Sequence, residues 1–182
     1  MRKLIMWNLI TLDGFFEGEK KWDLDFHNEV WDDELERISV QQLNSADLLI
    51  FGGTTYEGMA AYWRSAKGEI ADLMNNLPKV AISRTLKTAD WHGTTLINDN
   101  AVPAISKLKE QGDGNMFVFG SGNLSATFIS DGIFDEYRLV VVPVILGIGN
   151  PLFGHGLSRR RLKLLNSRQL SSGGVILQYA PE

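Results

Sequence analysis

Apolar and polar positions fall in blocks along the chain, and the period of each block predicts an element. Residues 3–10 form an apolar run that reads as a strand, and Leu12-Asp13-Gly14 follows as a turn. Trp31, Leu35 and Ile38 stand at i, i+4 and i+7, one face of a helix. Residues 47–51 are a short buried-type strand ending at Gly52-Gly53. Ile70, Leu73, Met74 and Leu77 again have helical spacing, with Pro78 as the stop. Residues 79–83 predict another strand. Val102, Ile105 and Leu108 share a helical face, with Asn98, Asp99 or Asn100 as N-cap and Gly112 beyond the end. Residues 116–119 read as a strand, and Leu124, Phe128 and Ile129 as a short helix closed by Gly132. Residues 136–142 form a strand interrupted by Pro143, which implies an edge, a bulge or a strand end. Residues 161–170 and 175–179 predict an antiparallel hairpin across Ser171-Ser172-Gly173-Gly174.

This order is β–α alternation finishing in a hairpin. It predicts an α/β protein with a mostly parallel central sheet, helices on both faces and an antiparallel edge. No repeat, low-complexity stretch or composition break marks a linker, so residues 1–182 read as one domain.

Composition narrows the function. The formal charge is 18 − 22 = −4, which argues against a nucleic-acid partner needing a basic face. Cysteine is absent, which excludes disulfides, thiolate zinc sites and cysteine nucleophiles and suits a reducing, cytoplasmic setting. The first residues read as a strand and not a signal peptide, and no apolar stretch approaches the ~20 residues a membrane span needs. His27, His92 and His155 lie in separate segments without metal-ligand spacing, so no metal site is expected.

Two turns carry the candidate chemistry. Strand 116–119 runs into Gly120-Ser121-Gly122-Asn123-Leu124, where glycines let backbone N–H groups approach an anion at a helix start. Ser125 stands where a dinucleotide fingerprint would have its third glycine, and a tight turn without a ligand is the competing reading. Gly52-Gly53-Thr54-Thr55 repeats the logic, with Thr54 or Thr55 able to cap the next helical turn. Ser83, Arg84 and Thr85 place hydroxyls and a guanidinium past a third strand. Asp13 is the best candidate carboxylate, either catalytic or turn-forming. Ser121 lacks the context of a nucleophile elbow. Trp7, Trp22, Trp31, Tyr56 and Trp63 could stack on a flat heterocycle or simply fill the core.

Leu12-Asp13-Gly14-Phe15, the segment from Asp47 to Glu57, Ser83-Arg84-Thr85-Leu86, Phe119-Gly120-Ser121-Gly122, and Asp135-Glu136-Tyr137 with Leu146-Gly147-Ile148-Gly149 occur in that order. As an ordered set they resemble the dihydrofolate-reductase-like family that includes the reductase domain of bacterial riboflavin biosynthesis. The resemblance covers nearly the whole chain. It implies a three-layer fold with an eight- or nine-stranded sheet, NADPH as hydride donor, a small heterocyclic or carbonyl substrate, and a homodimer. It implies cofactor contacts at Gly52 to Thr55, Ser83 to Thr85 and Gly120 to Leu124. Asp13 would be catalytic, and Asn8, Phe15, Tyr56, Leu146 and Gly147 would touch the substrate. The chain departs from the family pattern where Gly53 replaces an Arg, and where Asn44-Ser45 replaces an Arg before the second strand of the riboflavin enzymes. Asp23, Asp25 and Glu29 are unaligned candidates for a helix-borne carboxylate. The alternatives are a nucleotide-binding module without turnover and a mononucleotide-dependent transferase.

Overall fold

A computed structural model describes residues 1–154 and 156–182, so His155 lies outside the described residues. The chain runs β1 (Leu4–Thr11), β2 (Phe15–Glu17), a 3-10 turn (Asp25–Glu29), α1 (Asp33–Asn44), β3 (Ala46–Gly52), α2 (Gly53–Trp63) and α3 (Glu69–Asn76). It continues through β4 (Lys79–Ile82), β5 (Thr94–Ile97), α4 (Ala101–Lys109), β6 (Asn115–Phe119), α5 (Gly122–Ser130) and β7 (Glu136–Val142). It ends with β8 (Asn150–Pro151), β9 (Leu162–Gln169) and β10 (Val175–Pro181).

Eight strands form one sheet in the order β5-β4-β3-β6-β1-β7-β10-β9, while β2 and β8 make a separate short ribbon. The pairings from β5 to β7 are parallel, and β10 joins β7 and β9 antiparallel. The expected architecture is therefore present, hairpin included. Every residue of β1 is buried, as a central strand covered on both faces must be. Odd residues Ile5, Trp7 and Leu9 pack with Leu35, Tyr56, Ala60, Ile70 and Met74 of α1 to α3. Even residues Leu4, Met6 and Ile10 pack with Ile105, Phe128 and Ile129 of α4 and α5. The face follows the direction of travel. Chain moving from β1 to β3 and on to β4 crosses on the first face, and chain returning from β5 to β6 and on to β7 crosses on the second. That is the right-handed crossover rule applied in both directions. No helix among the described residues is long and apolar enough to cross a membrane.

Local sequence explains most ends. Asp32 caps α1 by accepting from the N–H groups of Glu34 and Leu35 at 3.0 and 2.9 Å. Trp31 thus precedes that helix and is exposed, so the helical face read through it begins at Leu35. Gly132, at φ +67°, ends α5; its N–H reaches Ile129 O while that of Ile133 reaches Phe128 O, closing a Schellman turn. Asn100 sits at the N-cap of α4 but makes no side-chain cap there. The helix after β3 starts at Gly53 itself, which puts Thr54 and Thr55 inside its first turn and removes them as caps. Strands β5, β2 and β8 are additions to the sequence reading; each has four residues or fewer, too short for an alternation to show.

Lys79 is 1% exposed although it opens a strand. Its Nζ donates to Asn75 O and Leu77 O and lies 4.6 Å from the centre of the Trp91 ring. Those carbonyls belong to the open C-terminal end of α3, where a cation is favoured. Lys79→Met keeps the stem but leaves both carbonyls without this donor. It should lower stability by roughly 1–3 kcal/mol, read from urea unfolding; an unchanged midpoint would make the lysine only a filler.

Candidate active site

Strand order decides where a ligand can sit. The connections leaving the neighbouring strands β3 and β6 go to opposite faces, so a crevice opens between their carboxyl ends. The first turns of α2 and α5 form its two walls. They touch: Gly52 N–H donates to Ser121 Oγ at 3.0 Å, and that hydroxyl donates to Phe119 O at 3.1 Å. Gly120 and Ser121, at φ +56° and +61°, bend the chain through two left-handed residues to reach this position.

Neither helix start has a side-chain cap. The N–H groups of Gly53, Thr54 and Thr55 and of Gly122, Asn123 and Leu124 therefore stand as donors at the crevice, reinforced by both helix dipoles. Approach is close. A Cβ on Gly53 would lie 2.6 Å from Ser83 Oγ, and one on Gly122 would lie 2.9 Å from the Phe16 ring. Ser83 Oγ is itself fixed, accepting from the N–H groups of Thr85 and Leu86. That contact leaves a side chain at position 53 little room.

The crevice is part of an open cleft of about 1660 Å³. It brings together most of the expected cofactor residues: Gly52 to Thr55, Ser83, Arg84 and Gly120 to Leu124. Thr85 lies outside the lining, turned back onto Ser83. Asn8 lines the cleft and is 5% exposed, with its Nδ2 donor unpaired among the described residues.

The structure places the other expected residues outside the cleft lining. Asp13 does not line the cleft. Its carboxylate accepts from Thr11 Oγ1 at 2.6 Å and from the N–H groups of Leu146 and Gly147 at 3.1 and 2.8 Å. The Thr11 hydroxyl, aided by those two amides, holds its pKa down at about 2, so at neutral pH it has no proton to give. It clasps the loop after β7 to the end of β1. Leu146 and Gly147 are the other half of that clasp and not a pocket wall. Phe15 pairs with Pro151 in the ribbon, and its neighbour Phe16 faces the cleft instead, because adjacent strand residues point to opposite sides. Tyr56 is 3% exposed, its hydroxyl accepting from Trp91 N–H at 2.8 Å, so it is core. Asp23, Asp25 and Glu29 are exposed and outside the lining.

The sequence reading missed the cleft's other wall. Leu24 and His27 come from the 3-10 turn region, Leu43 from α1, and Met59 and Tyr62 from α2, beside Trp22, Trp31 and Trp63. The tryptophans carried a stacking signal; His27 carried none, since nothing in its spacing marks it. Its ring meets Phe26 edge-on at 4.7 Å, and its Nε2 is buried without a partner among the described residues.

Comparison with known proteins agrees with the geometry. The model of the RibD C-terminal domain matches residues 2–176. The chain belongs to the RibD C-terminal domain family. Within reach of this family, the Bacillus subtilis protein YyaP, described as uncharacterized, is 32% identical over 98% of this chain and 94% of its own. Similar solved structures lie under 25% identity and show the fold. A Shewanella sp. PV-4 protein assigned by name to riboflavin biosynthesis superposes with a TM-score of 0.83 at 20% identity, covering 99% of both chains. Dihydrofolate reductase from Enterococcus faecalis, solved with NADP(H), gives 0.68 at 13% identity over 99% of this chain and 96% of that one. The fold is dihydrofolate-reductase-like.

Burial pushes the His27 pKa from 6.5 down to about 4. The folded protein then keeps it neutral where the unfolded chain would already be protonated. Its contribution is present above pH 6.5 and is lost as pH falls towards 4. Thermal midpoints measured from pH 7 to pH 4 should fall less steeply in His27→Phe than in the parent; parallel curves would assign the acid lability to other groups.

Proposed function

We propose that this chain is an NADPH-dependent reductase acting on a small heterocyclic or carbonyl compound. The observation that carries the reading is the pair of uncapped helix starts meeting across β3 and β6. A pyrophosphate fits that donor set: up to six N–H groups, two dipoles and no carboxylate among the described residues of the crevice. When bound there, the dinucleotide supplies a hydride from its nicotinamide.

The chain's own residues do the rest. Backbone donors of α2 and α5 hold the phosphates. Arg84, exposed beside Ser83 at the end of β4, offers a guanidinium to a phosphate on the adenosine ribose. Asn8 Nδ2 offers a buried donor on the cleft floor. Asp13 keeps the end of β1 and the loop after β7 in register, with no proton role. Glu17 accepts from Trp22 N–H and Asn150 Nδ2 and so braces the loop beside the cleft. The absence of cysteine and of a membrane-crossing helix among the described residues supports a cytoplasmic site of action. Strand β9, exposed along its whole length with Leu162, Leu164 and Leu165 at the surface, supports a homodimer.

One observation favours a second reading, dinucleotide binding without turnover: the expected catalytic carboxylate lies outside the cleft. Loss of nicotinamide absorbance in the presence of conjugated carbonyl compounds separates the two.

Gly122→Val should abolish NADPH binding in calorimetry in protein that still unfolds cooperatively, with a midpoint lowered by the contact with Phe16. Normal affinity in a folded variant would remove the crevice as the phosphate site. Arg84→Ala should weaken NADPH about ten- to a hundredfold, the effect of one lost charge-assisted hydrogen bond, and leave NADH nearly unchanged. Equal losses for both cofactors would return Arg84 to the solvated surface.

A further inference from the structure

The cleft continues well past the crevice, and its far part has a different chemistry. Met59 and Tyr62 lie six and nine residues along α2 from Gly53, about 9 and 14 Å at helical rise. There they join Trp22, His27, Trp31 and Trp63 in the lining. Three devices place Trp22. Its backbone is held at φ +65°, a left-handed value that a bulky residue rarely adopts. Its N–H donates to Glu17 Oε1 at 2.6 Å, and Glu17 is steadied in turn by Asn150. Its indole lies on α2 at Gly58, where a Cβ would come within 1.9 Å of the ring. A side chain fixed this firmly would normally be core, yet Trp22 is 39% exposed. Strain kept at an exposed aromatic is a mark of a ligand surface.

The neighbours fit the same ligand. Tyr62 is 63% exposed and packs edge-on against Trp63, whose indole N–H is turned away to Met59 Sδ at 3.3 Å. His27 is neutral at physiological pH and has an unpaired ring nitrogen. Among the described residues, Lys21 is the one cation lining this part, and it sits exposed on the loop. Nothing there provides the guanidinium fork that grips a phosphate or carboxylate.

We propose that this part of the cleft binds an uncharged, flat aromatic ring system laid against Trp22, and that it does not recognise a ribosyl-phosphate or other anionic tail. The proposal rests on the reductase reading only for what happens to the ring afterwards; binding itself is independent of it. A two-ring conjugated carbonyl compound suits the space and the aromatic walls.

The test uses 2-methyl-1,4-naphthoquinone as the uncharged probe, 1,4-naphthoquinone-2-sulfonate as its anionic counterpart and uridine 5′-phosphate as the ribosyl phosphate. With no cysteine in the chain, there is no thiol to add to the quinones. Binding is followed by quenching of tryptophan emission, without cofactor and again with saturating NADP⁺. The uncharged quinone should bind at least tenfold more tightly than either anion. Trp22→Ala should weaken it about tenfold, and Gly58→Leu, which displaces the indole but retains the tryptophan, should do the same. Neither variant should alter NADP⁺ affinity in calorimetry. Anions binding as well as the uncharged quinone, no binding of that quinone, or an unchanged affinity in Trp22→Ala would each overturn the proposal. Failure of NADP⁺ to bind would instead count against the cofactor crevice and leave the ring titration readable.

Discussion

The contact between Gly52 N–H and Ser121 Oγ ties together two turns that the topology would otherwise leave apart. Strand β3 hands the chain to a helix on one face and β6 to a helix on the other, because the two crossovers travel in opposite directions across the sheet. An opening between their ends is unavoidable. Its width is not, and the Ser121 hydroxyl sets it by bridging Gly52 N–H and Phe119 O. That bridge requires Gly120 and Ser121 to hold positive φ, and it leaves both helix starts uncapped. In α1 the equivalent donors are used up internally by Asp32. The crevice is thus a place where the fold withholds its own capping groups.

From this the cleft divides by the kind of atom that lines it. At the crevice the donors are backbone N–H groups, positioned by strand ends and glycines. Towards Trp22 and Tyr62 the surface is side chain, positioned by a loop and by one face of α2. Backbone donors survive almost any substitution that keeps the fold, and chains at 13–20% identity do share this architecture. The aromatic part has no such protection, since its character changes with each residue of the loop between β2 and α1. On the proposed reductase reading, substrate choice rests with that loop and the exposed face of α2, and cofactor binding with the strand ends.

The sequence was most legible where periodicity reports burial. Strands β1, β3 and β6 and the buried faces of α1, α3 and α5 follow their apolar patterns, and the two glycine turns stand where the strand ends put them. It was least legible for chemistry set by partners far along the chain. Nothing near Asp13 announces that Leu146 and Gly147, more than 130 residues away, will occupy its oxygens. Tyr56 reads as an aromatic beside a ligand turn, yet its hydroxyl is claimed by Trp91 N–H. Phe15 and Phe16 differ only in which side of a three-residue strand they face, and no alternation that short can say which.

Strand β5 shows how a missed element bears on the site. Ile97 O accepts from Ser83 N–H at 3.0 Å, and Asn98 Nδ2 donates to Ser83 O and Leu86 O at 2.8 and 3.1 Å. These bonds lock the turn after β4, and the locked turn drives Ser83 Oγ against the position of a Cβ on Gly53. A side chain at residue 53 would have to displace a hydroxyl that already accepts from two backbone amides. The cost is the loss of those bonds, roughly 0.5–1.5 kcal/mol each, plus the overlap itself. On the proposed cofactor reading, a cation for the adenosine ribose therefore has little room at residue 53. The same turn presents Arg84 one residue beyond Ser83, exposed and on the cleft. The crowding at position 53 and the exposure of Arg84 are two consequences of one turn, held in place by the edge strand β5.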